Sequence, residues 1–222
     1  MTQAAAHSSA STAADVIVVG AGPAGSSAAY HMATLGLDVI LLEKQELGRD
    51  KVCGDGLTPS AVRELVSMGM DTTGWQRNRG LRVIGGGHLL HFPWPEQASF
   101  PSYGMARPRA LLDRDLAEHA AAAGARLLTG VTVTAPVTSP TGRVTGVEAR
   151  PTNWVAYPGI EGPTTFTAPL VIDAGGVSAR LATAVGRTKN ERRPWAWPCA
   201  PTSAPRAPRT PGWSPASSCG TA

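Results

Sequence analysis

Three glycines at fixed spacing follow a short apolar run near the start of the chain. The run is Asp15–Val19, and Gly20, Gly22 and Gly25 come directly after it. An alanine-rich segment of helical character, Ser26–Leu35, follows the glycines. In a strand, turn and helix of this pattern, the first glycine permits the tight turn, the second lets a phosphate approach the backbone, and the third lets the helix pack on the strand. The pattern therefore predicts a βαβ unit that binds a dinucleotide at the N-terminus of its helix.

An acidic residue closes the second apolar run of this unit. Glu43 ends the segment Asp38–Glu43 and stands 18 residues after Gly25. A carboxylate at this point accepts hydrogen bonds from ribose hydroxyls and disfavours a 2′-phosphate, so NADP is not the expected ligand. The alternative is an ordinary glycine turn with a surface glutamate, but the two features together favour a nucleotide site. These residues do not distinguish FAD from NAD.

Composition allows a folded core and narrows the classes of partner. The chain has 222 residues, 42% hydrophobic and 16% charged, which suits one domain or a domain and a fraction. The net charge of +4 belongs to the end of the chain, because six of the 20 Lys and Arg residues but one of the 16 acidic residues follow Val185. The preceding part carries a charge of −1, so no nucleic-acid partner is predicted.

Cysteine usage and the first residues predict a cytoplasmic protein. The three cysteines, Cys53, Cys199 and Cys219, are odd in number and too widely spaced for a zinc site or a disulfide framework. Residues at the start lack the basic and apolar segments of a signal peptide, and no apolar run is long enough to span a membrane. His88 and His91 lack a third ligand, so no metal site is predicted.

Helical and strand-like segments alternate after the first unit. Helices are predicted over Pro59–Met68 and Arg109–Ala123, and a β-hairpin over residues 81–92. Further strands are predicted at residues 125–128, 131–134, 143–150 and 168–173. This order predicts an α/β fold with a doubly wound sheet and an antiparallel excursion.

Longer stretches of the sequence resemble one family. They are DVIVVGAGPAGSSAAYHMATLGLDVILLEK, KVCGDGLTPSAVRELVSMGM, LRVIGGG, SFPSYGMARPRALLDRDLAEHAAAAGARLL and TGRVTGVEA, which cover most of residues 15–185. The chain resembles the N-terminal half of the geranylgeranyl reductase family of FAD-dependent oxidoreductases, within the larger group that contains the aromatic hydroxylases. KVCGDGLTP is the specific stretch, because GAGPAG is shared by many flavoproteins.

The resemblance implies a Rossmann-like FAD-binding fold with FAD lying across the sheet. It implies that the loop of residues 51–56 approaches the flavin ring and that Arg109 opens a helix supporting the cofactor. Cys53 would border the flavin and substrate cavity and shape it, whereas composition alone favours a small residue filling a tight loop. The expected cofactor-binding residues are Gly20, Gly22, Pro23, Ala24, Gly25, Glu43, Lys44, Cys53, Gly54, Arg109, Asp173 and Gly176.

The segment from Asp173 departs from the family pattern at one position. The family carries Ala-Asp-Gly ahead of a Ser and an Arg, whereas this chain has Gly175 where that Asp stands. Asp173, two residues earlier, is the candidate replacement. In the glycine loop, Arg49 and Lys51 either face phosphate or are simply solvated, and the sequence leaves both alternatives open.

Three divisions of the chain are expected. Residues 1–14 form a disordered leader, residues 15–185 form the FAD-binding domain, with its segment 75–105 beginning the substrate domain, and residues 186–222 form an irregular Pro/Arg-rich tail. The tail is interpreted as out of frame, because the codons around Trp195, read two bases later, fit the Gly-Val-Ala-Val-Arg strand expected in the family. A genuine proline-rich linker is the alternative.

The resemblance also implies an activity. It is the reduction of an isolated carbon–carbon double bond in a geranylgeranyl lipid or a quinone side chain, such as that of menaquinone, by hydride transfer from reduced FAD. NAD(P)H or another reductant would reduce the flavin, and the lipid substrate implies peripheral contact with the membrane surface. The alternatives are an FAD-dependent aromatic hydroxylase and a truncated fragment that binds FAD without catalysis, since the family's second half is missing.

Overall fold

A four-stranded parallel sheet forms the centre of the fold. The computed structural model describes residues 11–152, 160 and 162–187. In chain order the elements are β1 (Val16–Val19), α1 (Pro23–Thr34), β2 (Val39–Leu42), β3 (Gly56–Leu57), α2 (Pro59–Ser67), β4 (Gln76–Asn78), β5 (Gly80–Gly85), β6 (His88–Pro93), β7 (Gly104–Ala106), α3 (Arg109–Ala122), β8 (Arg126–Leu128), β9 (Val131–Thr138), β10 (Val144–Pro151), β11 (Thr164–Thr167), β12 (Leu170–Asp173) and α4 (Arg180–Ala184). The central sheet has the strand order β12-β1-β2-β8, and each neighbouring pair is parallel.

Apolar side chains cover both faces of the central sheet. Val16 and Val18 of β1 belong to a buried cluster with Ala29 of α1 and Ala117 of α3. Ile17 points to the opposite face, because successive side chains of a strand alternate, and it packs in a second cluster. An antiparallel sheet of order β11-β10-β9 covers that second face. The predicted antiparallel excursion therefore takes the place of the second layer of helices in a doubly wound fold.

The predicted βαβ unit is present, with one correction at the start of its helix. Strands β1 and β2 pair in parallel, with Val16 opposite Val39. Helix α1 begins at Pro23, three residues before the predicted Ser26. Proline suits this position because its fixed φ is already helical and the first turn needs no N–H bond from it. Gly36, with φ of +83°, ends the helix region as predicted.

A third buried cluster joins α2, α3 and a small antiparallel sheet of order β3-β7-β4. Val62, Met105 and Leu112 meet in it, one from each of α2, β7 and α3. Strands β3, β4, β7 and β11 are absent from the sequence prediction because they are two to four residues long and lack apolar alternation. Strand β7 pairs with β3 as well as β4, so main-chain hydrogen bonds join the segment 75–105 to the loop before α2.

The predicted β-hairpin is present as β5 and β6. The two strands pair only with each other among the described residues, and Gly86 and Gly87 form the turn between them. Both glycines have positive φ, +56° and +78°, as a two-residue hairpin turn of this hand requires. Every residue of β6 is exposed, so this hairpin stands apart from the three buried clusters.

The structure tests the predicted start of the FAD-binding domain, whereas most of the predicted tail lies outside the described residues. Ala14 donates its N–H to the Thr167 carbonyl, and Thr167 donates its N–H to the Thr12 carbonyl. The prediction that residues 1–14 form a disordered leader is therefore wrong for residues 12–14. These main-chain bonds add a bridge to β11 and order the chain there. Residues 1–10 and the tail from residue 188, with its frameshift hypothesis, lie outside the described residues.

The contact between β1 and α1 gives a prediction for stability. A Cβ on Gly25 would lie 1.8 Å from the main-chain oxygen of Gly20, so Gly25→Ala requires the helix to move away from the strand. We expect Gly25→Ala to lower the free energy of unfolding by about 3 kcal/mol, in the range of other overpacking substitutions. Urea unfolding followed by circular dichroism measures this.

Gly54→Ala is the matched control, because no atom of the described ranges lies within 4 Å of the added Cβ and the Gly54 φ is not positive. We expect its unfolding midpoint to equal that of the wild type. Equal midpoints for Gly25→Ala and Gly54→Ala would show that the close approach at Gly25 does not hold the unit together.

Candidate functional site

A cleft of about 530 Å³ opens at the carboxyl ends of β1, β2 and β12. This end of a parallel sheet is where α/β proteins bind ligands, because the loops and helix N-termini converge there. Seven residues expected from the sequence line the cleft, namely Gly20, Gly22, Glu43, Lys44, Arg109, Asp173 and Gly176. The structure therefore brings together residues that stand more than a hundred positions apart in the chain.

The three motif glycines have different physical reasons for lacking a side chain. Gly20 has φ of +99°, and a Cβ there would lie 2.7 Å from the Ala174 carbonyl oxygen. At Gly25, the main-chain oxygen of Gly20 leaves no room for a Cβ. At Gly22, by contrast, the Nζ of Lys51, at 3.9 Å, is the only described atom that an added Cβ would meet within 4 Å, and φ is an ordinary −74°. The fold does not require glycine at position 22, so the open space above it is available to a ligand.

The N-terminus of α1 faces this space without a side-chain cap. Gly22 is the N-cap residue and Pro23 follows it, and no side chain of the described residues accepts a hydrogen bond from the first-turn N–H groups. Free N–H groups and the helix dipole favour an anion at such a position. Pro23 and Ala24 contribute to the helix start, and neither is among the residues that line the cleft.

Glu43 is held in place by main-chain groups of two loops. Its Oε2 accepts a hydrogen bond of 2.9 Å from the Ala21 N–H, and its Oε1 accepts one of 3.0 Å from the Gln45 N–H. Each carboxylate oxygen retains a further acceptor site, since an ionised carboxylate offers about four. Glu43 can therefore accept ribose hydroxyls while its rotamer stays fixed by the glycine loop.

Basic side chains surround the open space above Gly22. Lys51 lies nearest to it, and the other basic residues of the lining are Lys44, Arg49, Arg109 and Arg180. They outnumber the four acidic residues of the lining, which are Glu43, Glu46, Asp113 and Asp173. The sequence left open whether Arg49 and Lys51 face a phosphate or are simply solvated. Because both residues line the cleft, the structure favours the interpretation that they face a phosphate.

Arg109 connects the cleft wall to the loop of residues 51–56. Its side chain forms an ion pair with Asp113, one turn along α3, and its Nη1 donates to the Cys53 Sγ at 3.6 Å. Burial alone would lower the pKa of the Arg109 guanidinium. The hydrogen bond to Cys53 and the charge of Asp113 outweigh burial and raise this pKa above its ordinary value. Arg109 therefore remains a full positive charge at the cleft.

Asp55 is a structural residue of the site that the sequence analysis did not identify. Its Oδ1 accepts the Arg109 N–H at 2.9 Å, at the start of α3, and its main-chain oxygen accepts the Arg107 N–H. The N-cap residue of α3 is Pro108, which has no side chain able to do this. Asp55 has φ of +54°, a conformation in which Asp is enriched. The Asp-Gly pair that follows Gly54 is the sequence signal for such a turn.

Cys53 contacts the side chain of Arg109, but Cys53 itself is not among the residues that line the cleft. Gly54 is exposed and likewise outside the lining. Both belong to the loop that Asp55 fastens to α3. The geometry makes Cys53 a neighbour of a cleft residue, and its role in shaping a flavin and substrate cavity stays a prediction.

Asp173 lines the cleft, and both of its oxygens also fix the chain that follows β12. Oδ1 accepts the Gly175 N–H at 3.0 Å, and Oδ2 accepts the Ala182 N–H of α4 at 2.8 Å. Gly176 has φ of +69° and stands in the turn between them. Asp173 thus orders the glycine turn, and its replacement of the family's Asp at position 175 stays a prediction.

Within the described ranges, no group of three or more His, Cys, Asp or Glu side chains is arranged to hold a metal ion. Of the helices in the same ranges, none is both long and apolar enough to cross a membrane.

Comparison with known proteins identifies the nucleotide. Residues 13–208 match the family described as FAD binding domain. The features above suit an anionic dinucleotide of this kind, with open space over Gly22, an uncapped helix N-terminus and a fixed acid at the end of β2. The residues present therefore fit FAD.

The curated relatives are reductases of isoprenoid compounds by name. The chain is 40% identical over 181 residues to a menaquinone reductase of Mycolicibacterium smegmatis, covering 80% of this chain and 41% of the relative. It is 33% identical over 176 residues to a digeranylgeranylglycerophospholipid reductase of Methanopyrus kandleri, covering 78% and 42%. The chain spans about two fifths of the length of these relatives.

A solved structure agrees with both findings. The crystal structure of a geranylgeranyl bacteriochlorophyll reductase-like protein from Thermoplasma acidophilum superposes with a TM-score of 0.66 at 26% identity, over 78% of this chain and 42% of that protein. The Rossmann-like FAD-binding fold and the resemblance to geranylgeranyl reductases are thus confirmed. The chain belongs to the FAD-binding domain family, and its cofactor is FAD.

Proposed function

We propose that this chain is the FAD-binding part of a reductase that saturates a carbon–carbon double bond in a polyprenyl chain, such as the side chain of menaquinone. The observation that carries the proposal is the open space over Gly22, which the Lys51 ammonium and the uncapped start of α1 border. The names of the curated relatives supply the class of substrate.

In this proposal the chain binds and orients the cofactor. The amides at the start of α1 and the Lys51 ammonium hold the pyrophosphate above Gly22, and Glu43 accepts the ribose hydroxyls. The family resemblance would place the loop of residues 51–56, which Asp55 fastens to α3, on the flavin side of the site. When bound, FAD supplies the hydride for the reduction of the double bond, and the protein supplies binding, orientation and exclusion of water.

The other partners follow from the chemistry of the substrate. NAD(P)H or another reductant must return electrons to the flavin after each turnover, since the double bond takes up a hydride and a proton. Cysteine usage favours the cytoplasm, and because a polyprenyl chain partitions into lipid, the proposed enzyme works at the membrane surface.

A second candidate function is FAD binding without turnover by this chain alone. Val177 lines the cleft and is 73% exposed, so one apolar wall of the site is left open to water. A site that transfers hydride must exclude water from the reacting atoms. The groups around Gly22 and Glu43 that would hold the pyrophosphate and a ribose are present in this chain.

Flavin content and turnover separate the two candidates. The purified chain, reconstituted with FAD, should show flavin absorbance that bleaches with dithionite or NAD(P)H. Reoxidation under anaerobic conditions by menaquinone with an unsaturated side chain, together with mass-spectrometric gain of two hydrogens in that side chain, would support the reductase. Bleaching without saturation of the side chain would support binding alone, and absence of bound flavin would contradict both.

Gly22→Ala separates ligand binding from folding. Its methyl group would occupy the space assigned to the pyrophosphate, and its nearest neighbour in the described part of the chain is the Lys51 Nζ, at 3.9 Å. We expect FAD affinity to fall by about thirtyfold, or about 2 kcal/mol, while the thermal midpoint of the FAD-free protein falls only by the small cost of alanine at an N-cap. Fluorescence titration and calorimetry provide the two readouts. Unchanged affinity would show that the cofactor does not occupy this space.

Lys51→Met tests the charge above Gly22. The ammonium is exposed, so its contribution is screened, and we expect FAD affinity to fall about fivefold at low salt and by less at high salt. Arg63→Met is the matched control, because Arg63 lies on α2, pairs with Glu64 and is outside the cleft lining. If the loss of FAD affinity did not depend on salt, or if Arg63→Met lost as much affinity, Lys51 would not be a cofactor-binding residue.

A further inference from the structure

Two adjacent serines of α1, Ser26 and Ser27, lie in different environments. Ser26 is fully buried, and it is the only polar or charged residue in the described ranges that is buried. Ser27 is partly exposed. Among the α1 side chains, Ser26 and Thr34 form hydrogen bonds within the described part of the chain, and Ser27 forms none. A buried hydroxyl is costly unless it is paired, so the partner of Ser26 indicates what this side chain does.

The Ser26 hydroxyl bonds to the glycine loop that precedes its helix. Its Oγ donates to the main-chain oxygen of Ala21 at 3.1 Å. Ala21 is 4% exposed, and no main-chain N–H of the described residues donates to that oxygen. Ser26 is therefore the hydrogen-bond donor on which the Ala21 carbonyl depends within these residues.

The Ala21 carbonyl belongs to the peptide unit that also carries the Gly22 N–H. No cis peptide bond occurs in the described residues, so the C=O and the N–H of this planar unit point in opposite directions. The carbonyl points to buried Ser26, which lies outside the cleft lining, whereas Ala21 and Gly22 line the cleft. The N–H is thus directed to the cleft side, and no acceptor among the described residues takes it.

Glycine at position 22 leaves this peptide unit free to rotate. A glycine adopts φ of either sign, so rotation about the two bonds that flank the unit can turn the N–H away from the cleft without a steric clash at Gly22. The preceding peptide unit is already restrained, because its N–H, on Ala21, donates to Glu43. The hydrogen bond from Ser26 supplies the corresponding restraint on the second unit.

We infer that Ser26 is a positioning residue for the cofactor and holds the Gly22 N–H towards the pyrophosphate. The hydroxyl does not touch the ligand, because it acts through the peptide unit between Ala21 and Gly22. A donor that is already oriented pays no ordering cost when the anion binds, so its hydrogen bond contributes more to affinity. This role rests on the proposed function for the pyrophosphate above Gly22. It extends the site to a buried side chain outside the cleft lining.

Ser26→Ala removes the hydroxyl and keeps the rest of the side chain. In the 222-residue chain we expect FAD affinity, measured by fluorescence titration, to fall about tenfold, as for the loss of one well-directed hydrogen bond to a charged group. The phosphorus NMR signals of bound FAD should also shift, because the donor beside the pyrophosphate has moved. Ser26→Cys should lose less affinity than Ser26→Ala, because a thiol of similar shape remains a weak donor.

Ser27→Ala is the matched control, because it makes the same change one position along α1, at a hydroxyl without a described partner. Its FAD affinity and phosphorus signals should equal those of the wild type. Suppose instead that Ser26→Ala lowered the thermal midpoint of the FAD-free protein but left FAD affinity and the phosphorus signals unchanged. The bond would then serve folding alone, and the positioning role would be overturned. An equal loss of affinity in Ser27→Ala would overturn it as well.

Titration of the FAD-free chain with inorganic pyrophosphate keeps the two proposals apart. Nitrogen–proton NMR follows the Gly22 amide, whose signal should shift in the wild type and shift less in Ser26→Ala. This result in a chain that binds no FAD would support the role of Ser26 while contradicting the proposed function. FAD binding of equal strength in the wild type and Ser26→Ala would do the reverse. A wild-type chain that responds to neither FAD nor pyrophosphate would contradict both.

Discussion

The fold depends on how closely the first helix approaches the first strand. No side chain fits between Gly25 and the Gly20 carbonyl, and Gly20 in turn lies against Ala174 at the end of β12. This contact sets the position of α1 and, with it, the direction in which the first-turn N–H groups point. The arrangement around Gly22 is a result of that packing. A binding site for an anion is therefore obtained from backbone alone, before any charged side chain is added.

The parts predicted from sequence are those governed by local pattern. The βαβ unit, α2, α3 and the hairpin have clear apolar periodicity or glycine signals, and the structure contains all of them. Strands β3, β4 and β7 are short and take their conformation from pairing with one another, which no local pattern reports. The antiparallel layer on the second face likewise depends on pairing between β9, β10 and β11.

The sequence predicts the residues of the site that belong to a motif better than those that the loop geometry brings together. Glu43 and the glycines follow from spacing, whereas the bond from Asp55 to the start of α3 joins residues 54 positions apart. Composition could not show that Cys53 contacts Arg109, since their proximity results from that bond. Family resemblance, and not geometry, supplied FAD as the nucleotide before the comparisons confirmed it. Fold alone would have left the chemistry open.

Strand β1 lies between partners from opposite ends of the described chain. Val16 pairs with Val39 on one side and with Leu170 on the other. During synthesis β1 and β2 can meet early, but the second edge of β1 must wait until β12 has left the ribosome. Until then an apolar strand with an open edge is exposed on the nascent chain, which makes it a substrate for chaperones and a site for aggregation. The strand order therefore makes folding in the cell depend on chaperones that protect β1 until β12 is available.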